Sequence, residues 1–319
     1  MILSAKESDG LETWLTQSGY RIPAGASAAL QPYIRQGMKF FVAKVNLEEQ
    51  AKIAASTGFM TLRPLQFAFE SPKFMLPMRL GMINSNGPQD LIVYLLTRKG
   101  RVESSNYRTI KLPANVDLPL FVRGDFRRFY KSMFDRHAQR EDFKAVFTEY
   151  FWDMGWCDPC AADPLSQQEL RQAGVFWLNE PAEPLDPSLP QINGGMPAPV
   201  APTVRLPQPR PGGAQPVLLT RLHLRYTRDS FPEDLMFQQT GDRQNFQTRY
   251  VLHHPFAGSP AACDAARVYY EQLERRQQRE AETLASLTGW NLTEIRARMN
   301  LGQPDRGGDQ PWWSSLWKG

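Results

Sequence analysis

Long apolar runs and clustered charge are both scarce in this sequence, and each scarcity narrows what the chain can be. Crossing a bilayer takes roughly 20 apolar residues, whereas the most apolar stretch, residues 90–97, is the length of a single strand. The net charge is only +4 over 319 residues, and basic and acidic residues are interspersed. We therefore expect a globular chain with no membrane span and no nucleic-acid partner.

Catalytic and cofactor motifs are missing as well. No glycine-rich phosphate loop precedes a helix, and no Gly-x-Ser-x-Gly nucleophile elbow is present. Carboxylates are plentiful, but no spacing in the sequence distinguishes a catalytic pair from carboxylates on a solvated surface. We therefore predict no cofactor and favour a non-enzymatic binding or structural module. Its partner, a protein or a surface ligand, and its oligomeric state are left open.

Hydrophobic periodicity predicts an α+β fold with antiparallel sheet and flanking helices. Alternation of apolar and polar residues is typical of half-buried strands. In the first half it predicts strands at 41–47, 65–69, 78–82, 91–96 and 108–112. In the second half it predicts strands at 217–225, 235–237 and 246–253.

Capping residues and apolar stripes predict the helices. Asp9 with Glu12 has the spacing of a capping box, and Asn291 with Glu294 opens a last helix. A short helix is predicted at 166–173. A stripe of large side chains after Asp125 predicts a core-facing helix; it consists of Phe126, Phe129, Tyr130, Met133 and Phe134. A long helix is predicted from Ser259-Pro260 to Thr288, and its charged middle, 271–282, is expected to be solvated.

Composition divides the chain into three parts. Residues 181–216 hold 11 of the 26 prolines, which is typical of a linker or a segment that crosses the surface. Residues 1–180 form an α+β region that carries the aromatic helices and a CxxC motif. Residues 217–319 supply strands and the long charged helix, packed on the first region. The two strand sets are expected to complete one sheet, because a hairpin and a helix alone bury little.

The motif Gly155-Trp156-Cys157-Asp158-Pro159-Cys160 allows three kinds of chemistry. In a thiol–disulfide oxidoreductase, Cys157 would be the nucleophile and Cys160 the resolving thiol. In a thioredoxin-like fold a helix and further sheet strands follow such a motif, whereas here a short helix ends at Gly174 and the chain enters the proline-rich segment.

Zinc is the second possibility for these sulfurs. A structural site takes four ligands, and the motif supplies two. Cys263 and one histidine, with His253 as the candidate, would complete the set. A second paired-ligand motif, which would strengthen this interpretation, is absent from the sequence.

A structural disulfide among Cys157, Cys160 and Cys263 is the interpretation we favour. In the loop-entropy model a bond between the first two contributes about 2 kcal/mol, whereas a bond from either to Cys263 closes about one hundred residues and contributes up to about 4.7 kcal/mol. A reduced, buried trio is the alternative without a bond. Outside the motif, the tryptophans Trp312, Trp313 and Trp317 are a candidate contact for a partner, although docking on their own domain is the simpler explanation.

Several segments together resemble a bacterial family known as domain of unknown function 2330. They include DGLETWLTQSGYRIP, NYRTIKLP, EYFWDMGWCDPCAADPLS, LTRLHLRYTRDSFPEDLMFQQT and LTGWNLTEIRARM, and the likeness spans most of residues 3–300. Members typically begin with an export signal and a cysteine-bearing region, neither of which is visible here, so the chain resembles the C-terminal portion of such a protein or a shortened member. The resemblance implies an extracytoplasmic setting, which suits disulfides, and it implies no catalytic residue.

Overall fold

The computed structural model describes residues 1–23, 25–57, 64–83, 85, 87–155, 164–179, 213–256 and 258–300. Within these ranges the fold is α+β. The helices are α1 Ser8–Gln17, α2 Ala26–Arg35, α3 Leu47–Thr57, α4 Phe126–Arg140, α5 Gln167–Gln172, α6 Asp264–Thr288 and α7 Leu292–Arg298. The strands are β1 Ile2–Leu3, β2 Phe40–Phe41, β3 Met75–Leu76, β4 Gln89–Thr97, β5 Val102–Ser104, β6 Arg108–Lys111, β7 Val116–Leu118, β8 Ala145–Asp153, β9 Leu218–Tyr226, β10 Leu235–Gln239, β11 Phe246–Gln247 and β12 Tyr250–Leu252.

The largest sheet, called the central sheet below, has the strand order β11–β8–β9–β4, with β6 as a fifth strand beside β8. β9 pairs antiparallel with β4 along the full length of both strands and antiparallel with β8 on its other edge. β6 runs parallel to β8, so the sheet is mixed rather than purely antiparallel. A strand from beyond the proline-rich segment thus lies between two strands from the first half of the chain.

The central sheet is covered differently on its two faces. On the inner face, Leu222 and Leu224 of β9 pack with Leu235 and Phe237 of β10; β10 belongs to a smaller sheet of order β3–β10–β5. On the outer face, Phe134 of α4 packs in one core with the buried residues Ala281, Leu284 and Leu287 of α6. Burying each of the larger apolar side chains contributes roughly 1.5–3 kcal/mol, so α6 is an integral part of the core on the outer face.

Two further apolar clusters lie in the described ranges. Helices α1 and α2 bury Leu11, Leu15, Leu30 and Tyr33 against the short sheet of β1 and β2. At the far end of the outer face, α5 packs Leu170 on Trp152. Among the described helices, none is both long and apolar enough to span a membrane.

Three of the strand predictions are wrong. Residues 65–69 alternate in sequence, yet they lie in irregular chain with Leu65, Phe67 and Phe69 exposed. Residues 78–82 contain the 3₁₀ turn Arg79–Met82. The segment 41–47 keeps only β2 and then enters α3, where the Asn46 side chain accepts hydrogen bonds from the amides of Glu48 and Glu49. Alternation predicts a strand only where a neighbouring strand is available to pair with it.

The helix predictions are more accurate, with two corrections. The α5 and α7 helices form as expected, and the Asn291 side chain caps α7 through the amides of Thr293 and Glu294. The N-cap of α1 makes no side-chain bond, so the capping box of Asp9 and Glu12 is not formed. The middle of α6 is not uniformly solvated, because Gln277 and Glu280 are buried there.

Candidate functional site

The outer face of the central sheet carries a group of polar residues that a β-bulge brings together. Thr148 lies opposite Leu222 and Tyr150 lies opposite Arg221, so Glu149 is the extra residue of β8. A bulge re-aims the side chain of the extra residue. Here it directs the Glu149 carboxylate towards Arg221 and His223 of β9.

Glu149 is the centre of this group. Its Oε1 lies 2.9 Å from His223 Nδ1 and also accepts a hydrogen bond from the Tyr130 hydroxyl of α4. Its Oε2 lies 2.9 Å from Arg221 Nε. Because a carboxylate only accepts, Nδ1 of His223 carries a proton in this arrangement. We call Glu149, His223, Tyr130 and Arg221 the Glu149 cluster.

Helix α4 covers the Glu149 cluster on the outer face of the central sheet. The Phe134 ring stacks on the His223 imidazole with ring centroids 3.6 Å apart and planes inclined by 8°. His223 is only 4% exposed. Its Nε2 makes no hydrogen bond within the described residues and lies 3.7 Å from Asp90 Oδ1. The imidazole is therefore enclosed between an aromatic ring and two carboxylates.

A second ion-pair network borders the cluster. The Arg225 guanidinium binds both carboxylate oxygens of Asp90, at 2.7 and 3.1 Å. It also binds Asp135 of α4 at 2.5 Å and lies over the Phe134 ring. Arg225, itself on β9, thus ties the edge strand β4 to helix α4, because its three contacts come from these two elements.

The electrostatics of the cluster favour an ionised Glu149. Burial alone raises the pKa of Glu149, but the hydrogen bonds from His223 and Tyr130 and the charge of Arg221 outweigh it, so the net pKa is lowered. Burial raises the pKa of Tyr130, and its hydrogen bond to Glu149 raises it further. Asp90 shows the same balance as Glu149, with Arg225 lowering its pKa against burial. The carboxylates are therefore fixed acceptors and the tyrosine a fixed donor.

This arrangement suits positioning better than acid–base catalysis. A general base needs to come within hydrogen-bond reach of a substrate proton, and α4 covers the His223 ring. Glu149 is equally buried. The members that reach the surface are Tyr130 and Arg221, which are part-buried. The buried members hold these two in place.

An exposed surface lies directly beside these two residues. The Arg221 guanidinium stacks over the Tyr94 ring, 5.5 Å from its centroid, and Tyr94 is 59% exposed. On the other side the Tyr130 ring stacks on Phe126, which is 52% exposed. Ile92, also exposed, precedes Tyr94 on the same face of β4. We call Ile92, Tyr94, Phe126, Tyr130 and Arg221 the aromatic–arginine patch.

Most residues singled out from the sequence lie elsewhere. Cys157 and Cys160 fall outside the described residues, as do Trp312, Trp313 and Trp317. Cys263 is exposed at the start of α6 and its thiol is free, so the proposed bond from the CxxC motif to Cys263 is not formed in this structure. An exposed N-cap position also offers that thiol no enclosed partner.

The zinc alternative has no assembled site in the described part of the chain, where no three His, Cys, Asp or Glu side chains are grouped to hold a metal ion. His253, the candidate fourth ligand, instead places Nε2 3.0 Å from Asp117 Oδ1. The two motif cysteines lie outside the described residues, so the alternative remains a hypothesis about them.

The sequence indicated part of the site and missed the rest. Arg221, His223 and Arg225 recur at every second position of β9, which is a signal for a polar strand face. Glu149 lies in a bulge, and its partners come from α4 and β9, so no local spacing announces it. Phe126 was predicted to be core with the other members of its stripe, and this is wrong.

A family model described as an uncharacterized protein conserved in bacteria (DUF2330) matches residues 1–238 of the 319-residue chain. This range includes α4, β4, β8 and β9, and therefore every residue of the Glu149 cluster and of the aromatic–arginine patch. No curated protein and no solved structure matches the chain. The family description specifies no activity.

Proposed function

Since the chain belongs to the bacterial family of uncharacterised proteins called DUF2330, we propose that it is a non-enzymatic module that binds another protein through the aromatic–arginine patch. The observation that carries the proposal is the arrangement Tyr94–Arg221–Glu149. An exposed tyrosine stacks on an arginine whose guanidinium is held by a buried carboxylate.

The composition and rigidity of the patch support protein binding. Tyrosine and arginine are enriched among the few interface residues that dominate binding energy. Holding such side chains in place before contact lowers the entropic cost of association. Here Glu149 binds both Tyr130 and Arg221, so these two patch residues are held in place without a partner.

The patch is also more apolar than a solvated sheet face requires. Ile92 and Tyr94 are exposed on a sheet face that also carries Asp90, Arg221 and Arg225, and Phe126 is exposed on α4. Apolar groups surrounded by polar ones are typical of contact sites between proteins. The enclosed His223 supports binding over catalysis for the reasons given above.

The compartment and the disulfide belong to the same proposal. The module works outside the cytoplasm, as the family resemblance implies, and a bond between Cys157 and Cys160 stabilises it. An oxidising compartment favours such a bond. The free thiol of Cys263 supports pairing within the motif, because it leaves these two cysteines for one another.

Site-specific crosslinking tests the binding function. A photo-crosslinking amino acid replaces Tyr94 in one variant and Val268, an exposed apolar residue of α6, in a control. In the bacterium that encodes the chain, we expect position 94 to capture a protein other than a second copy of the chain, and position 268 not to capture it. The captured protein, once purified, should bind Phe126→Ala at least about thirtyfold more weakly than the unmodified chain, the loss typical of a hot-spot residue.

Two results would contradict the proposal. One is the same set of captured proteins at both positions. The other is unchanged affinity after Phe126→Ala and, separately, after Arg221→Ala. Circular dichroism melting of each variant separates a loss of binding from a loss of fold.

A further inference from the structure

Strand β4 has one paired edge and one open edge. All nine residues from Gln89 to Thr97 pair with β9, and β4 is the last strand in the order of the central sheet. In the described part of the chain, no turn or loop backbone hydrogen-bonds to the opposite edge. A row of backbone donors and acceptors is therefore available to another strand.

The composition of β4 does not block such pairing. Natural edge strands are usually short, or carry proline, lysine, an inward charge or a bulge that prevents edge-to-edge contact. β4 is nine residues long, its pairing with β9 shows no register shift, and residues 91–96 are Leu-Ile-Val-Tyr-Leu-Leu. Ile92 and Tyr94 are exposed. This edge thus has the properties of a pairing surface rather than of a protected margin.

We infer that β4 pairs antiparallel with β4 of a second copy of this chain, around a two-fold axis at Val93. In that register Ile92 lies opposite Tyr94 of the second copy, and the reverse pair repeats across the axis. β-branched and aromatic residues form favourable cross-strand pairs. The strand is therefore self-complementary on the face that carries the patch.

The charges fit the same register. Asp90 lies opposite Leu96 of the second copy and diagonal to Arg98 of that copy, within reach of a long side chain. No two like charges lie opposite each other anywhere along the nine residues. A closed two-fold arrangement of this kind uses one surface twice, so no further copy adds to the same edge.

The pairing goes beyond the proposed function, because it requires no other protein. It joins two central sheets into one and brings Tyr94 of the second copy beside Ile92 in each patch. The two patches then lie on one continuous face. A partner with two binding segments is held more tightly by such a pair than by either patch alone.

Sedimentation velocity of the purified chain with charge-swapped variants tests the pairing. One variant carries Ile92→Lys with Tyr94→Lys, and the other carries Ile92→Glu with Tyr94→Glu. Each puts like charges opposite one another in its own dimer, so we expect the dimer dissociation constant of each to rise at least about tenfold over the unmodified chain. An equimolar mixture puts lysine opposite glutamate, and a dimer should reappear and weaken with added salt.

Hydrogen exchange of the unmodified chain gives an independent measure that does not depend on the variants folding. Amides of β4 should exchange more slowly at high than at low protein concentration, with those of α5 unchanged. The inference is overturned if the unmodified chain stays monomeric, or if it dimerises but the exchange rates of the β4 amides do not change with protein concentration. It is also overturned if each variant dimerises as well alone as in the mixture. A failed search for a protein partner leaves these outcomes unaffected.

Discussion

The Tyr33 hydroxyl donates a 2.6 Å hydrogen bond to Asp234 Oδ1, and the two residues are 201 positions apart. The same carboxylate oxygen accepts from the backbone amides of Met78 and Arg79. Tyr33 and Asp234 are both buried. A single carboxylate therefore joins helix α2, the 3₁₀ turn that follows β3, and the segment that leads into β10.

Replacing Tyr33 with phenylalanine should destabilise the chain more than the same change at a tyrosine without such a bond. The buried Asp234 would lose a donor, and a hydrogen bond to a charged group contributes about 1.5–3 kcal/mol. Urea unfolding measures the difference. Tyr20→Phe is the control, since Tyr20 is only part-buried. Equal losses for the two variants would show that the bond contributes nothing.

Glu149→Gln should lower the free energy of unfolding by about 2 kcal/mol near neutral pH, because Arg221 loses its buried counter-charge. Folding lowers the pKa of Glu149, so the unfolded chain binds more protons between the two pKa values and stability rises with pH there. The difference in free energy of unfolding between wild type and variant should therefore have its full value above the ordinary carboxyl pKa. It should disappear as the pH falls through the lowered pKa of Glu149 in the folded state.

Urea titrations at several acidic pH values measure that difference. Glu274→Gln is the matched control, because Glu274 is exposed on α6 and has no ion pair or hydrogen bond described. A difference that stays constant from neutral to acidic pH would contradict the assigned role of Glu149.

Glu280→Gln should have the opposite effect. Burial raises the pKa of Glu280, and the opposing charge of Arg276, whose Nε lies 3.4 Å from Oε1, does not compensate. The folded state then binds more protons than the unfolded state, so ionisation costs stability as pH rises from the ordinary pKa through the raised one. The variant should be more stable than wild type near neutral pH, with no gain at acidic pH. Glu274→Gln is again the control. If Glu280→Gln is less stable than wild type at neutral pH while the control is unchanged, this prediction is wrong.

Thiol titration of the oxidised, denatured chain should give one reactive thiol before reduction and three after it. The single thiol is that of Cys263, which is free and exposed, and Cys263→Ser should remove it. Three thiols before reduction would exclude the proposed Cys157–Cys160 bond. Metal analysis of the same sample tests the zinc alternative. Insulin reduction, with Cys157→Ser as control, tests the redox alternative.

Local signals predicted the elements whose stability is local. Asn291 caps α7 with its own side chain, and the stripe of α4 places Phe129, Met133 and Phe134 in the core. Both features depend on residues a few positions apart. Phe126 belongs to the same stripe but is the first residue of α4, and it stays exposed while the others are buried in the core with α6. Periodicity gives the direction of a side chain and does not give the extent of the surface it faces.

The candidate site depends on tertiary context and was only partly predictable. Glu149 lies in β8, a segment without alternation that was not predicted as a strand, and the bulge that directs its side chain depends on pairing with β9. Glu280 reads as part of a solvated run until the fold buries it. A buried carboxylate is stable only when hydrogen-bond donors or opposite charges surround it. For Glu149 these partners come from α4 and β9, which are distant in sequence. The Arg221 and His223 alternation was visible because a strand face has a period of two.

The position of β9 has a consequence for the order in which the molecule is made. β4 and β8 are separated by the strand that both pair with, and that strand is synthesised more than sixty residues after β8 ends. Until β9 has been translated, β4 and β8 cannot pair with it. The central sheet therefore forms late and through contacts between residues distant in sequence, which are slow to form. The nascent chain therefore exposes the unpaired edges of β4 and β8 until β9 has been synthesised, and exposed edges of this kind are prone to aggregation.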